Sequence, residues 1–136
     1  MLNRRGFIGC AICAAVGLVA EGVSAQSSTP TPGVKRTILQ QTDGPAEGYV
    51  TILARGEIGD GGVVPWHTHP GIESGYLISG TGTMFIKGQP DRKMQAGDSF
   101  HIPPETPHSV QCDTAMQIAS TYVVEKGKPL ATVVKM

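Results

Sequence analysis

The sequence predicts an all-β fold, a sandwich or a small barrel, and three observations carry that expectation. Short runs rich in β-branched and alternating apolar residues are separated by glycine and proline, of which the chain has 18 and 10. No segment after Ala25 carries a long helical apolar period. No repeat of fixed length is visible, which sets solenoids and propellers aside.

Taken in order, strand signals cover Lys35 to Gln41, which ends at the Asp43-Gly44-Pro45 turn, and Tyr49 to Arg55, which ends before Gly56 and Gly59. Gly62 to Thr68 follows a glycine pair and stops at Pro70, and Gly75 to Ser79 lies between Gly71 and Gly80. Gly82 to Lys87 and Asp91 to Gln95 flank the Gly88 turn. Ser99 to Ile102 closes on Pro103-Pro104; His108 to Cys112, Ala115 to Val124 and Thr132 to Lys135 complete the set.

The first 25 residues read as an address. Asn3-Arg4-Arg5-Gly6-Phe7-Ile8 resembles the twin-arginine export signal, Cys10 to Ala20 is a short apolar core, and Val23-Ser24-Ala25 suits a cleavage site. The apolar run is shorter than the roughly 18 residues a spanning helix needs, so no stable membrane insertion is expected after cleavage. Residues 26–34 form a Ser/Thr/Pro-rich flexible linker and residues 35–136 the folded domain. The expected destination is periplasmic or secreted.

Cleavage after Ala25 leaves 111 residues with 9 basic and 10 acidic side chains, enough for one domain and too few for two. That balance gives no electrostatic reason to expect nucleic acid or an anionic membrane as a partner. Cys10 and Cys13 leave with the signal, so the remaining Cys112 has no internal disulfide partner; it is expected to be a buried small apolar side chain.

The chemistry-bearing pattern is His67, Thr68, His69, then Glu73, with His108 far downstream. In a strand, residues two apart share a face, so His67 and His69 aim at one point, whereas on a helix they would diverge. Gly56, Gly59, Gly61, Gly62, Pro65 and Pro70 argue against a helix there. Glu73 follows the Pro70-Gly71 turn signal and can face back toward the imidazoles. Three imidazoles and a carboxylate suit a divalent transition metal ion.

These residues resemble the cupin superfamily, whose first motif is matched by Gly61, His67, His69, Glu73 and Gly80 and whose second is matched by Gly97, Pro103 and His108. The second departs at Glu105, where the family usually has glycine, and at Cys112, where it usually has asparagine. The departures touch turn geometry and local contacts and leave the ligand position intact. The resemblance covers Val50 to Val124. It implies a small secreted single-domain cupin of the type-2, quercetin-dioxygenase-like kind, folded as a double-stranded β-helix or jelly roll, and it implies a homodimer as the common assembly. Four ligands would leave two neighbouring positions of a six-coordinate ion open for a bidentate oxygen ligand, or for substrate and dioxygen. Iron, manganese, nickel, copper and zinc all accept this donor set.

Alternation along Glu73 to Ile78 places Gly75 and Leu77 inward and Tyr76 and Ile78 outward, where they need cover from a second layer or another subunit. His101 is expected at the surface, on the face opposite Phe100 and Ile102. Glu57, Asp60 and Glu105 read as solvated turn residues. Trp66, Met84, Phe85, Met116 and Tyr122 are expected mainly in the core, with pocket lining as the alternative. No phosphate loop, dinucleotide fingerprint or serine triad is present, and no catalytic residue is assigned. Two functions fit: a metalloenzyme of dioxygenase, isomerase or lyase type acting on a small oxygen-containing molecule, and a periplasmic binding or sensing module without turnover.

Overall fold

The computed structural model describes residues 31–136. The expected export signal, residues 1–25, and residues 26–30 of the expected linker lie outside the described residues. Among the described residues no helix is long and apolar enough to cross a membrane.

Eight strands follow in order: β1 Val34–Asp43, β2 Tyr49–Ile58, β3 Val63–Thr68, β4 Gly71–Ile86, β5 Arg92–Gln95, β6 Ser99–Ile102, β7 His108–Glu125 and β8 Thr132–Val133. Every pairing is antiparallel. Two strands organise the rest, because β4 and β7 are long enough to serve both faces of the barrel. The first part of β4 (Gly71 to Leu77) pairs with Ile118 to Val124 of β7 and with β6, and the same part of β7 pairs with β2, which carries β1. The second part of β4 (Gly82 to Ile86) pairs with His108 to Cys112 of β7 and with β5, while that part of β7 pairs with β3, which carries β8. The result is a jelly roll made from one hydrogen-bonded sheet folded on itself.

The fold corrects the predicted boundaries in a consistent way. Gly75–Ser79 and Gly82–Lys87 are one strand that begins at Gly71, and His108–Cys112 and Ala115–Val124 are likewise one strand. Gly80 reads as a terminator in sequence, yet with φ of +90° it forms the bend where the β4–β7 register slips between Leu77 and Gly82. β3 ends at Thr68, so His69 stands one residue beyond it. Glu57, expected in a turn, lies in β2 beside Arg55 and Lys35.

Period-two patterning accounts for the core. Val50, Ile52, Ala54 and Ile58 of β2 are buried, as are Val110, Cys112, Met116, Ile118, Tyr122 and Val124 of β7. One apolar cluster gathers around Leu77, Met84, Ile102 and Ile118, and a second around Ile52, Tyr122, Val124 and Leu130. Leu77 is fully buried while Tyr76 and Ile78 are 52% and 46% exposed, so the expected alternation holds and no described residue covers the outer pair. Cys112 is buried as expected, its thiol donating to the Thr114 carbonyl.

Glu105, at the position where glycine is usual, adopts φ of +54° in the loop between β6 and β7 and donates its backbone N–H to the His69 carbonyl. A left-handed conformation costs a side-chain-bearing residue roughly 1–2 kcal/mol, partly offset by the lower chain entropy it has when unfolded. Glu105→Gly is therefore expected to raise stability by about 0.5–1 kcal/mol, read as a higher urea midpoint at unchanged slope.

Candidate metal centre

Four segments bring the site together. His67 is in β3, directly paired across the ladder with His108, the first residue of β7. His69 follows the end of β3, and Glu73 is in the first part of β4, opposite Tyr122 of β7 and Ile102 of β6. The imidazole centroids are 4.1 Å apart for His67 and His108, 4.8 Å for His67 and His69, and 5.0 Å for His69 and His108. One nitrogen from each ring lies within 4.8 Å of the others. The three histidines are thus positioned to bind a metal ion, and all three and Glu73 are buried.

The orientation of the rings is fixed from behind by main chain. Nδ1 of His67 meets the Pro65 carbonyl at 2.7 Å, Nδ1 of His69 meets the Leu130 carbonyl at 2.5 Å, and Nδ1 of His108 meets the Thr106 carbonyl at 2.9 Å. A carbonyl only accepts, so each Nδ1 carries the proton and, in the neutral ring, Nε2 presents a lone pair. Holding the second nitrogen of a metal-binding histidine in this way sets its tautomer and direction. Main-chain carbonyls rather than side chains thus supply the second partner of each ring.

Glu73 completes the cluster. Its Oε1 accepts a 2.7 Å hydrogen bond from the Ser120 hydroxyl, while Oε2 lies 3.0 Å from His69 Nε2 and 3.3 Å from His108 Nε2. His69 Nε2 is buried and, among the described residues, makes no hydrogen bond of good geometry. An Nε2 this close to a carboxylate oxygen needs either a proton of its own, which makes the contact an imidazolium–carboxylate pair, or a cation between the two atoms. Donors about 2.1 Å from a common ion sit roughly 3 Å apart when adjacent, so the donor set fits a divalent transition metal.

Electrostatics favour the metal-ready protonation state. Burial, then the neighbouring His108 and His69, lowers the His67 imidazole to about 3 from an ordinary 6.5. Burial pushes the Glu73 carboxyl upward, but its contacts with His108 and His69 prevail and hold it well below the usual carboxylate range. The Tyr122 phenol, edge-on to His69 at 4.9 Å between centroids, is raised by burial and by the Glu73 charge, so it stays protonated.

These shifts set an acid limit on the metal-free protein. Between about 3 and 6.5 the unfolded chain binds a proton at His67 that the folded chain refuses, so stability falls as pH drops through that window. Glu73 acts in the same direction: its contribution is present above the ordinary value of 4.5 and is lost in stronger acid. Chelator-treated protein should lose several kcal/mol between pH 7 and pH 4, read from urea midpoints, with little change between pH 7 and pH 8.

A cavity of about 60 Å³ opens beside the cluster, touched by His67, Glu73 and His108 and walled by Ala54, Ile58, Met84, Val110 and Ile118. It has room for a small ligand and none for a drug-sized one, which needs about 300 Å³ or more. Met84 and Tyr122 line it, as the alternative for those residues anticipated, whereas Trp66 and Phe85 face each other at 6.3 Å and Met116 is in the core. His101 is exposed, 3.4 Å from the Ser74 hydroxyl, and stands apart from the cluster. Asp60 accepts from the Ala115 N–H and Glu105 is exposed. Ser120 was missed in the sequence. Its signal is a polar residue at an inward position of β7, with buried Ile118 and Tyr122 on either side.

The comparisons agree with this architecture. The family model described as "Cupin domain" matches residues 54–125, so the chain belongs to the cupin family. No curated protein matches it. Among solved structures, an RmlC-like cupin from Shewanella frigidimarina is similar over 78% of this chain and 89% of its own, with 21% identity and a TM-score of 0.62. The DMSP lyase DddQ of Ruegeria pomeroyi matches 62% of this chain at 19% identity and a TM-score of 0.56. A salicylate 1,2-dioxygenase from Pseudaminobacter salicylatoxidans matches 71% at 18% identity and a TM-score of 0.59. This chain spans 43% of the lyase chain and 28% of the dioxygenase chain.

Proposed function

We propose that this protein is a periplasmic metalloenzyme in which His67, His69, Glu73 and His108 hold one divalent transition metal ion and act on a small oxygen-containing organic substrate. The observation that carries this reading is the convergence of three imidazoles, each held at Nδ1 by a backbone carbonyl, with a buried carboxylate against two of them. Iron, manganese, nickel, copper and zinc remain the candidate ions. Once bound, the ion supplies Lewis acidity to a substrate oxygen and, if redox-active, a partner for dioxygen, as in dioxygenase, isomerase or lyase chemistry.

The protein's own residues do the rest. Ser120 fixes the Glu73 carboxylate through Oε1 and leaves Oε2 directed at the histidines. The apolar wall excludes water and strengthens electrostatic contacts with a bound ligand. Tyr122 keeps its phenolic proton at the cavity wall, within hydrogen-bonding reach of Glu73 and Ser120.

In this reading residues 1–25 act as a twin-arginine-like export signal and are cleaved, and the mature protein works in the periplasm. A route that carries folded protein would let the ion be loaded before release. The exposed Tyr76 and Ile78 give a second copy an apolar face to cover, and sedimentation of the mature protein would report a dimer.

Metal analysis of the purified protein, followed by oxygen-uptake and spectral screens with catechols, flavonols and 1,3-diketones, tests the proposal. About one ion per chain with consumption of one such compound supports it. Saturable binding with no turnover moves the protein to the alternative, a cupin that binds or senses a small molecule or a metal, and absence of metal overturns the metalloenzyme.

A further inference from the structure

Two hollows in this molecule share a wall. The small cavity beside the metal cluster is bounded in part by Met84 of β4 and Phe100 of β6. The same two residues line a second hollow at the surface, of about 520 Å³, whose other walls include Ile86, Pro90, Arg92 and His101. Met84 is buried in the apolar core, whereas Phe100 is half-buried and packs against that core from its edge. The phenyl ring is therefore the part of the partition with open space behind it.

A glycine sets the position of that ring. Phe100 is paired directly with Gly75 of β4, and a Cβ at Gly75 would lie 2.0 Å from the ring Cζ and 2.4 and 2.6 Å from its two Cε atoms. The tip of the ring thus fills the space that a side chain at position 75 would take. Gly75 and Glu73 are two apart in one strand and share its inward face, so the ring stands next to the carboxylate of the metal cluster.

We infer that Phe100 is a specificity-determining residue whose ring keeps the metal cavity small and restricts its ligand to a small acyclic molecule, to the exclusion of aromatic ones. This deepens the metalloenzyme reading and rests on it. One water molecule needs about 10–15 Å³ of such a cavity, so about 60 Å³ accepts about four to six non-hydrogen atoms. A short carbon chain carrying two oxygens fits that space, and a benzene ring carrying the same two oxygens does not. Forcing the extra atoms against a packed wall displaces its side chains, which costs about tenfold or more in affinity. Shortening residue 100 removes the partition and joins the two hollows.

The test is calorimetric titration of the zinc-loaded protein with acetohydroxamate and with benzohydroxamate. Both present the same pair of oxygens to the ion, and they differ in a methyl against a phenyl group. The wild-type protein is expected to bind acetohydroxamate about tenfold or more tightly than benzohydroxamate. Phe100→Ala should admit the phenyl group and bring the two affinities within about threefold of each other. Phe100→Leu, which keeps part of the bulk, should give an intermediate preference and serves if the alanine variant fails to fold. Equal binding of the two compounds by the wild-type protein, or an undiminished preference in Phe100→Ala, overturns the assignment. Zinc content measured on the same samples separates the two proposals. One zinc per chain without a size preference removes the Phe100 role alone, whereas wild-type protein that takes up no zinc removes the metal centre and this inference with it. Zinc lost from Phe100→Ala alone would make the ring a support of the centre rather than its size limit, and overturns the assignment as well.

Discussion

His108→Ala is expected to strip the metal from the protein. The imidazole it removes is the direct cross-strand neighbour of His67 and one of the two whose Nε2 faces Glu73 Oε2, so the centre loses a donor from its middle. Losing even an outer partner of a metal ligand lowers affinity about 10–100-fold, and losing the ligand itself should exceed that range. Zinc content after dialysis should fall from about one per chain to less than about a tenth of that. His69→Ala should behave alike and free the Leu130 carbonyl as well. His101→Ala provides the contrast: that ring is exposed, lies against the Ser74 hydroxyl and away from the cluster, and its removal should leave metal content unchanged.

Gly80→Ala is expected to damage the fold severely, at about 3 kcal/mol or more. Two penalties coincide there. The residue has φ of +90°, and a Cβ would lie 2.2 Å from the Ala115 carbonyl oxygen, a main-chain atom that cannot swing aside. Relief would require β4 to part from β7 at the bend, and these two strands join both faces of the barrel and carry Glu73 and His108. Gly97→Ala isolates one penalty from the other, because Gly97 has φ of +96° and open space around the position of a Cβ. That variant should cost only about 1 kcal/mol. Urea unfolding of both variants measures the difference; similar losses would mean that the close approach at Gly80 is accommodated.

The parts of this molecule that are written in side chains were legible in its sequence. The spacing of His67, His69, Glu73 and His108 announced a common centre, and period-two alternation sent Leu77 inward and Tyr76 outward. Cys112 and His101 also lie where alternation puts them, one buried and one exposed. What escaped was written in backbone geometry. Gly80 looks the same in sequence whether it ends a strand or bends one, and only the long β4–β7 register distinguishes the two. The Pro65, Thr106 and Leu130 carbonyls that orient the imidazoles have no residue-type signature, since every residue carries the same acceptor. Ser120 reaches Glu73 through the pairing of β7 with β4, distant in sequence. Its one local mark is a polar side chain at an inward position between Ile118 and Tyr122.

Imidazole nitrogen NMR of the metal-free protein, repeated during a zinc titration, tests the central claim most directly. His67, His69 and His108 should each carry a proton on Nδ1, as the carbonyl contacts require, and all three Nε2 resonances should shift together and saturate at one equivalent of zinc, with His101 unmoved. An Nδ1 without a proton in any of the three, or an Nε2 among them that zinc leaves in place, would contradict the shared centre on which this account rests.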